Sequence, residues 1–418
     1  MPDEFKSICV VGLGYIGLPT AAKFAESGFA VTGVDISETK ISELNGGKLV
    51  TQEPGLGELV MEQIEAGMLQ TSLKPVVADA YILAVPTPLR ADKTPELKHL
   101  YQGLEALLPV IKAKSLIIIE STVPVGTTRG VYTWIAQKRP DLVLEGTSES
   151  LNINLAYCPE RVIPGNLLQE IVENDRVVGG ISEECTSRAV KLYEHFVAGE
   201  CLGTEAAVAE LVKLAENSYR DVNIAFANEL SMIAHDENLD IWEVIKIANR
   251  HPRVNILQPG CGVGGHCIAL DPWFLASKAP ARAPLISQAR RVNDSKPKFV
   301  VSQVTTAISG IERPTVACLG IAFKPNVDDL RESPALDIAK QISKLQVQEL
   351  LIAEPNIDKL PEIAWQTQAT LVEYDSERLL EADVIVALVK HSQFINLAAN
   401  SMPKSKLLDF ANVFPDDS

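Results

Sequence analysis

Near its N-terminus the chain has a short apolar stretch that runs directly into three closely spaced glycines. Ser7–Val11 has the composition of a β-strand, Gly12-Leu13-Gly14-Tyr15-Ile16-Gly17 follows it at once, and Leu18–Gly28 has the composition of a helix that ends at a glycine. A strand, glycine-rich turn and helix in this order predict the first unit of a dinucleotide-binding fold. The first glycine permits a tight turn, the second lets a pyrophosphate approach the backbone, and the third lets helix and strand pack closely. We therefore expect the turn residues, Tyr15 and Ile16 included, to contact a cofactor beside the partial positive charge of the helix N-terminus.

An acidic residue follows the second strand at the position where such a fold needs one. Ala30–Val34 is apolar, and Asp35 closes it, 18 residues beyond Gly17. A carboxylate there accepts hydrogen bonds from the adenosine ribose and repels a 2′-phosphate, so NAD is favoured over NADP. The alternative is a tight turn in another α/β fold, with Asp35 acting as a helix cap.

The pattern of strand and helix continues through the first half of the chain. The other apolar strand-like segments are Ala80–Val85, Leu116–Glu120 and Ile153–Cys158, and the amphipathic stretches between them include Asn45–Met68 and Leu97–Ile111. This alternation predicts a parallel, doubly wound sheet. Loops after two of the strands carry Thr87, Thr122 and Thr128, at the edge where open α/β sheets bind ligands. Ordinary loop capping is the alternative role for each threonine.

The middle of the chain predicts one long helix. Thr204–Asn238 has no proline or glycine and has apolar residues at helical spacing, which gives a length of about 50 Å. We expect it to link two domains and to form a subunit contact. Lys213, Asn217 and Arg220 share one face of this helix, where a lysine and an amide could manage a proton or an oxyanion. A solvated polar face is the alternative.

Alternation returns near Pro314 and predicts a second, smaller α/β domain. Its predicted elements are the strands Thr315–Leu319, Leu350–Ala353, Val384–Val389 and Lys406–Asp409 and the helix Pro334–Leu345. The predicted fold is therefore α/β, with two Rossmann-like parallel-sheet domains joined by a long central helix and a small helical domain. The expected domains are residues 1–203, 204–305 and 306–418.

Between these regions, a glycine-rich segment surrounds a thiol. In Gln258–Asp271, four glycines near Cys267 would let a substrate approach the backbone, so Cys267 is a candidate nucleophile. Asp271 lies four residues later and could orient a base or a water. The alternatives are a cysteine that packs as a small hydrophobe, and a metal site of Cys261, His266 and Cys267. The metal site lacks a partner ligand motif, so we expect no metal.

Composition limits the possible partners and the location of the chain. The 418 residues carry a formal net charge of −16, which disfavours nucleic acid as a partner. No apolar run reaches the roughly 18–20 residues of a membrane span, and the start, Met-Pro-Asp-Glu-Phe-Lys, does not resemble a secretory signal. The seven cysteines are sparse and odd in number, unlike those of a disulfide scaffold, so we expect a reducing, cytoplasmic setting.

With these motifs in place, the chain closely resembles bacterial nucleotide-sugar 6-dehydrogenases of the UDP-glucose/GDP-mannose dehydrogenase family. The resemblance covers nearly the whole chain, and the unusual run from Asn249 to Gly260 makes it specific. The segments that carry it are Val11–Thr20, Ala84–Pro88, Glu120–Gly126, Tyr157–Gly165, Leu211–Leu230, Asn249–Trp273 and Gly320–Pro334.

The resemblance implies a four-electron oxidation of the sugar C6 alcohol with two NAD. Lys213, Asn217 and a water held by Asp271 would manage the proton and the oxyanion. Cys267 would capture the aldehyde as a thiohemiacetal, a second hydride would leave, and water would hydrolyse the thioester. Glu160 and Thr122 join the implied catalytic set.

The resemblance also implies binding residues and a partner. The residues implied for the sugar pocket are Glu160, Arg161 and Val162. Those implied to hold the substrate are Arg220, His251, Arg253 and Gly264, and either His251 or Arg253 would reach across a dimer. Phe323 and Lys324 would contact the nucleotide, and Arg331 would contact the cofactor. The implied substrate is a UDP-sugar, and the implied assembly is a homodimer or a higher homo-oligomer. Ala411 stands where relatives have a basic residue, so one nucleotide contact differs here. Cys261 stands where close relatives more often have no thiol.

Three alternatives remain open from the sequence. One is the same reaction on another nucleotide sugar, such as UDP-glucose or UDP-N-acetylglucosamine. Another is a single-step dehydrogenase of the β-hydroxyacid type, which would not need Cys267. The third is a nucleotide-binding or assembly protein without activity, against which the set of Lys213, Asn217, Cys267 and Asp271 argues.

Overall fold

The computed structural model describes residues 5–48, 53–143, 152–162, 165–265, 267–395, 397 and 407–414. The chain forms two compact units, Met1–Ala215 and Glu216–Ser418. Each unit contains its own sheet with helices around it. The predicted segments Asn45–Met68 and Lys406–Asp409 lie partly outside the described residues, and His266 lies wholly outside them.

Within its described residues, the first unit has an eight-stranded sheet in the order β3-β2-β1-β4-β5-β6-β7-β8. The pairs are parallel except for β6 with β7, which is antiparallel. The strands are β1 (Ser7–Val11), β2 (Ala30–Val34), β3 (Leu69–Ser72), β4 (Ala80–Leu83), β5 (Leu116–Ile119), β6 (Asn154–Tyr157), β7 (Arg176–Gly180) and β8 (Cys201–Glu205).

The helices of the first unit connect these strands. They are α1 (Gly17–Glu26), α2 (Glu38–Asn45), α3 (Leu56–Glu65), α4 (Lys98–Leu107), α5 (Thr127–Lys138), α6 (Leu167–Glu173) and α7 (Glu183–Tyr193), with a 3-10 turn at Pro140–Leu142. The long helix α8 (Ala206–Asp236) begins in this unit and continues into the second.

Apolar layers on both faces of the first sheet explain the near-continuous apolar strand sequences. Ile8 and Val10 of β1 pack in one layer, whereas Cys9 and Val11 pack in the other. A parallel strand that is buried on both faces needs apolar residues at successive positions rather than at every second one. The strand order reverses between β1 and β4, so the crevice for a ligand lies at the carboxyl ends of these strands.

The second unit repeats the parallel arrangement on a smaller scale. Over the part that the structure describes, its sheet has five parallel strands in the order β11-β10-β9-β12-β13. The strands are β9 (Thr315–Leu319), β10 (Glu349–Ala353), β11 (Ala369–Val372), β12 (Val384–Ala387) and β13 (Leu407–Asp409). The helices are α9 (Ile241–Ala248), α10 (Asp271–Lys278), α11 (Pro284–Ala307), α12 (Pro334–Ile342), α13 (Glu377–Leu380) and α14 (Ser392–Ile395).

Several elements differ from the sequence expectation, and β7, β8 and α11 are among those that were not predicted. The long helix begins at Ala206 and not at Thr204, because Thr204 and Glu205 pair with Gly179 and Gly180 as the end of β8. Helix α11 was not predicted, and it carries Pro297 inside its 24 residues. None of the described helices is both long enough and apolar enough to cross a bilayer.

Candidate active site

The glycine turn after β1 leaves open space at one of its three glycines. Gly12 has a φ of +95°, and a Cβ there would lie 2.5 Å from the carbonyl oxygen of Ala84. A Cβ at Gly17 would lie 1.8 Å from the carbonyl oxygen of Gly12, whereas a Cβ at Gly14 would meet no protein atom within 4 Å. The fold therefore requires the first and third glycines. The second is left for close approach of a ligand, which fits a dinucleotide.

Asp35 ties the second strand to this turn. Its carboxylate accepts hydrogen bonds from the N–H groups of Leu13 (3.1 Å) and Ser37 (3.0 Å), and it pairs with Lys40 Nζ at 2.8 Å. Burial raises the pKa of Asp35, but Lys40 and the two N–H groups outweigh burial and hold it below its ordinary value. Asp35 is thus ionised near neutral pH, as a ribose acceptor must be. Sequence reasoning missed Lys40.

The neighbouring loops place the other predicted cofactor residues. Tyr15 donates its hydroxyl to Glu53 at 2.6 Å, and Ile16 is the N-cap of α1. Thr87 donates its hydroxyl to the carbonyl oxygen of Thr122 at 2.7 Å, which joins the loops after β4 and β5. Both pairs fix the shape of the loops around the strand ends.

Thr128 has a different environment from the one expected. It is fully buried, and both its N–H and its hydroxyl donate to Glu210 Oε1 at 2.7 Å. The N–H of Gly126 donates to the other oxygen of Glu210 at 2.5 Å. The carboxylate of α8 thus caps the start of α5, which accounts for Thr128 without a cofactor contact.

The structure brings together two residues of the predicted catalytic set, Glu160 and Lys213. Lys213 Nζ donates to the main-chain carbonyl of Glu160 at 2.8 Å. The carboxylate of Glu160 accepts from the N–H of Arg161 at 2.6 Å and from Arg176 at 3.0 Å. Val162 beside them is half-buried. Sequence reasoning missed Arg176, because nothing in the local pattern of β7 marks its buried first residue as a partner of Glu160.

The second unit joins another pair of predicted residues. Asn217 Nδ2 donates to Asp271 Oδ2 at 2.6 Å, and Asp271 is the first residue of α10. One turn earlier, the carbonyl of Cys267 accepts the N–H of Asp271 at 2.9 Å. The predicted spacing of the thiol and the carboxylate is therefore that of a helical turn.

Exposure distinguishes the two thiols of the glycine-rich segment. Among the seven cysteines, all of which lie in described ranges, Cys267 alone is exposed. Cys261 lies in the core of the second unit, and burial raises the pKa of its thiol to about 12. A thiol of that kind is inert near neutral pH. The geometry thus offers Cys267 and not Cys261 to a substrate, and it argues against a metal site that contains both. No group of three metal-ligating side chains occurs among the described residues.

Predicted nucleotide residues surround the glycine-rich segment. A Cβ at Gly264 would lie 2.5 Å from the carbonyl oxygen of Glu332 and 3.2 Å from Phe323 Cβ, so this backbone packs tightly on the loop after β9. Lys324 Nζ lies 5.7 Å from the centre of the Phe323 ring. The side chain of Arg331 donates three hydrogen bonds to Asp329 that raise the pKa of Arg331, and the charge of Cys267 acts in the same direction. The predicted cofactor residue Arg331 thus carries a cation near the thiol.

The remaining predicted substrate residues are exposed. Arg220 lies on α8, and His251 and Arg253 follow α9, where His251 Nδ1 accepts the N–H of Arg253 at 3.3 Å. Ala411 packs beside the apolar layer that includes Phe394 and Val413. The roles of these residues stay predictions.

Sequence comparison assigns the chain to a family. Three domain descriptions of the UDP-glucose/GDP-mannose dehydrogenase family match it: the NAD binding domain at residues 6–197, the central domain at 207–295 and the UDP binding domain at 317–416. The chain belongs to this family. The family assignment confirms the predicted NAD cofactor and nucleotide-sugar dehydrogenase class, and the structure confirms the α/β fold with two parallel-sheet regions.

Several named proteins are similar to this chain in sequence or in structure. A UDP-N-acetyl-D-mannosamine dehydrogenase of Campylobacter jejuni is 48% identical over 96% of this chain and 99% of its own length. An NDP-N-acetyl-D-galactosaminuronic acid dehydrogenase of Ralstonia nicotianae is 46% identical over 97% and 96% of the two chains. The solved structure of a UDP-D-ManNAc dehydrogenase from Pyrococcus horikoshii is similar with a TM-score of 0.85 and 37% identity, over 98% of this chain and 96% of that one.

Proposed function

We propose that the chain oxidises the C6 alcohol of UDP-N-acetyl-D-mannosamine to UDP-N-acetyl-D-mannosaminuronate. The observation that carries the proposal is the exposed thiol of Cys267, one helical turn from the Asn217–Asp271 pair, in a chain of the NAD-dependent family. An aldehyde gives up a second hydride readily only after hydration or covalent capture, and a thiolate provides that capture. The substrate follows from the names of the C. jejuni and P. horikoshii relatives.

Bound NAD supplies the hydride acceptor for both oxidations. In the first, the C6 hydroxyl loses its proton to a water held by Asp271, while Lys213 and Asn217 donate hydrogen bonds to the alkoxide oxygen. The product is an aldehyde at C6. The donor at Asn217 is fixed by its hydrogen bond to Asp271, which prevents the amide from turning away.

The thiol carries the second oxidation. The sulfur of Cys267 attacks the C6 aldehyde, and a carbon–sulfur bond forms. The oxygen of the resulting thiohemiacetal then accepts the hydrogen bonds of Lys213 and Asn217, as the alkoxide did before. Loss of hydride from C6 leaves a thioester. Water then attacks that carbon, the carbon–sulfur bond breaks, and the thiolate and the carboxylate product are released. We assign the activation of this water to Glu160, whose carboxylate is anchored by Arg176.

The anionic substrate needs cations in an acidic chain. We assign the UDP moiety to Phe323 and Lys324 of the UDP binding domain, and the sugar and phosphates to Arg161, Val162, Arg220, His251, Arg253 and Gly264. We also assign Arg331 to cofactor binding, as we do Gly12, Gly14, Gly17 and Asp35.

We further propose a homodimer that assembles through α8. Tyr219, Phe226 and Ile233 recur every seven residues on this helix and are 72%, 52% and 54% exposed in the single chain. Side chains of this size at heptad spacing are typical of a helix face that a partner covers. Phe226→Glu should convert the dimer to a monomer in light scattering. If the variant keeps the mass of the dimer in solution, this interface is refuted. We also propose a cytoplasmic location, which suits a thiol that must stay reduced.

A substrate panel tests the proposed reaction. UDP-N-acetylmannosamine, UDP-N-acetylglucosamine, UDP-N-acetylgalactosamine and UDP-glucose are each incubated with the enzyme and NAD, and the products are identified by mass. We expect the manno substrate to have the highest kcat/KM, by about tenfold or more, and its product to be the acid. A higher kcat/KM for another sugar would overturn the substrate assignment, and an aldehyde product would overturn the mechanism.

A further inference from the structure

A single guanidinium lies between two carboxylates in the interior of the first unit. Arg176 Nη2 is 3.0 Å from Glu160 Oε2, and its Nη1 is 3.7 Å from Glu120 Oε1. The guanidinium also lies over the rings of Tyr193 and Phe196, at 4.8 and 5.5 Å from their centres. It is 4% exposed, so it cannot leave its two acids for solvent.

The second acid of this group, Glu120, is held on both oxygens. Its side chain is fully buried just after β5, where Tyr193 donates its hydroxyl to Oε1 at 2.7 Å and Thr20 donates to Oε2 at 3.3 Å. A buried charge is costly unless it is paired, and a well-packed apolar residue usually serves folding equally well. Two acids on one arginine therefore call for an explanation other than stability.

We propose that Glu120 is a positioning residue that competes with Glu160 for Arg176 and so sets how strongly the catalytic carboxylate is held. The proposal rests on the role of Glu160 in the proposed function. A carboxylate that has the guanidinium to itself is a weaker proton acceptor than one that shares it. By taking part of the charge of Arg176, Glu120 weakens the hold of the guanidinium on Glu160 and leaves that carboxylate better able to accept the proton of the water.

The proton on Glu120 makes this competition dependent on pH. Burial raises the pKa of Glu120 to about 7; Glu160 acts in the same direction, and Arg176, Tyr193 and Thr20 oppose it. The other titratable groups around this cluster include Cys158, Tyr193 and Cys201. Burial raises the pKa of Cys158 to about 12, and it raises the pKa of Tyr193 and of Cys201 above their ordinary values, so none of the three ionises near neutral pH. Below about pH 7, Glu120 is neutral, and the positive charge of Arg176 then acts on the carboxylate of Glu160 alone.

The test compares kcat of the wild type with that of Glu120→Gln between pH 6 and 9, at saturating substrate and NAD. Glutamine has the same size and carries no charge, so it mimics protonated Glu120 at every pH. We expect kcat of the variant to be about five- to tenfold below the wild type at the alkaline end and equal to it at the acidic end, with KM unchanged. A loss of the same factor at every pH, or no loss, overturns the proposal.

Tyr193→Phe provides a second test that keeps the charge. It removes the hydrogen bond that favours ionised Glu120, so its kcat should match the wild type at alkaline pH and fall below it near pH 7. Tyr81→Phe is the matched control, because Tyr81 is another buried tyrosine of the same unit, bonded to the carbonyl of Val110. If Glu120→Gln does not fold, a Tyr193→Phe profile parallel to that of Tyr81→Phe overturns the proposal.

The result separates this inference from the proposed function. If the wild type forms no acid from any UDP-sugar, the proposed function fails, and the role of Glu120, which rests on it, fails with it. If the wild type forms acid but the variants have profiles parallel to its own, only the role of Glu120 fails.

Discussion

The side-chain amide of Asn217 donates a hydrogen bond to a carboxylate oxygen of Asp271 over 2.6 Å. Asn217 lies on α8, whereas Asp271 begins α10 one turn after Cys267. The bond therefore does two things. It fixes which way the amide presents its second hydrogen, and it fixes the start of α10 and with it the turn that carries the thiol.

The Asn217–Asp271 bond predicts coupled effects of mutation. A hydrogen bond to a charged acceptor contributes about 1.5–3 kcal/mol, and residues in contact are not additive. We expect Asn217→Ala and Asp271→Asn each to lower kcat/KM about a hundredfold, and the double variant to lose about 1–2 kcal/mol less transition-state stabilisation than the sum of the two single losses. A double-mutant cycle on kcat/KM measures this coupling. Strict additivity would show that the two residues act independently.

The cation at Arg331 predicts how fast the thiol reacts. Because a nearby cation stabilises a thiolate, Arg331→Gln should slow the alkylation of Cys267 by iodoacetamide about three- to tenfold at neutral pH. Peptide mapping by mass spectrometry gives the rate for each cysteine. Arg378→Gln is the matched control, because Arg378 is another exposed arginine of the same unit with two bonds to one acid, Glu349. Equal rates in the two variants would remove Arg331 from the surroundings of the thiol.

Asp35 predicts the cofactor preference and its pH dependence. Asp35→Asn should weaken NAD binding about tenfold and narrow the preference over NADP, because the amide no longer repels a 2′-phosphate. Since the pKa of Asp35 lies below its ordinary value, its charge is present at neutral pH and is lost only as the pH falls through that lower pKa. NAD affinity by calorimetry should thus show no Asp35 titration between pH 6 and 8. Lys40→Met keeps the acid, so it tests whether the lysine alone sets the preference for NAD over NADP. An unchanged preference for NAD in Asp35→Asn would refute the ribose contact.

A buried acid in the second unit predicts acid lability of the nucleotide loop. Glu354 Oε2 accepts the N–H groups of Ile321 and Ala322 at 2.8 and 3.0 Å and faces His391 Nε2 at 3.1 Å. The N–H of Asn326 donates to His391 Nδ1, so the ring hydrogen is on Nε2 and points at the acid. Burial raises the pKa of Glu354, but His391 and the two N–H groups outweigh it and lower the net value.

The sign of that shift sets the pH window. A carboxyl group whose pKa is lower in the folded state stabilises the fold at pH values above its ordinary pKa. This stabilisation is lost as the pH falls through the lower pKa of the folded state. The protection factors of Ile321 and Ala322 in hydrogen exchange, which correct for the intrinsic pH dependence of exchange, should therefore fall in the wild type as the pH drops below 4.5, the ordinary pKa of Glu354. In Glu354→Gln we expect fast exchange already at pH 7, with about 2 kcal/mol of local stability lost. Wild-type protection at pH 7 in that variant would contradict the assignment.

Three of the described strands were predictable to the residue because their signal is local. β1, β2 and β9 begin and end where the apolar runs indicate, since each is buried on both faces. β8 was missed because Cys201–Glu205 is largely exposed and joins the sheet through its partner β7, which no local pattern reveals. Helix α11 was missed because Pro297 argues against a helix interior in sequence terms, although tertiary packing overrides it.

The candidate site was predictable where residue type and spacing carry the information. Cys267 and Asp271 are four residues apart, and Asn217 follows Lys213 by one turn, so chemistry and helical period identified them. Arg176, Glu120 and Glu210 were not found, because each acts through a partner 16 or more positions away in the sequence. The burial of Thr128 follows from Glu210 and could not be read from its own loop.

The number of NADH molecules formed per UDP-sugar tests the covalent role of Cys267 most directly. With limiting UDP-N-acetylmannosamine and excess NAD, absorbance at completion counts the hydrides removed from each sugar. We predict two NADH per sugar for the wild type and at most one for Cys267→Ala, with Cys201→Ser behaving as the wild type. One NADH per sugar in the wild type, or two in Cys267→Ala, would contradict the account.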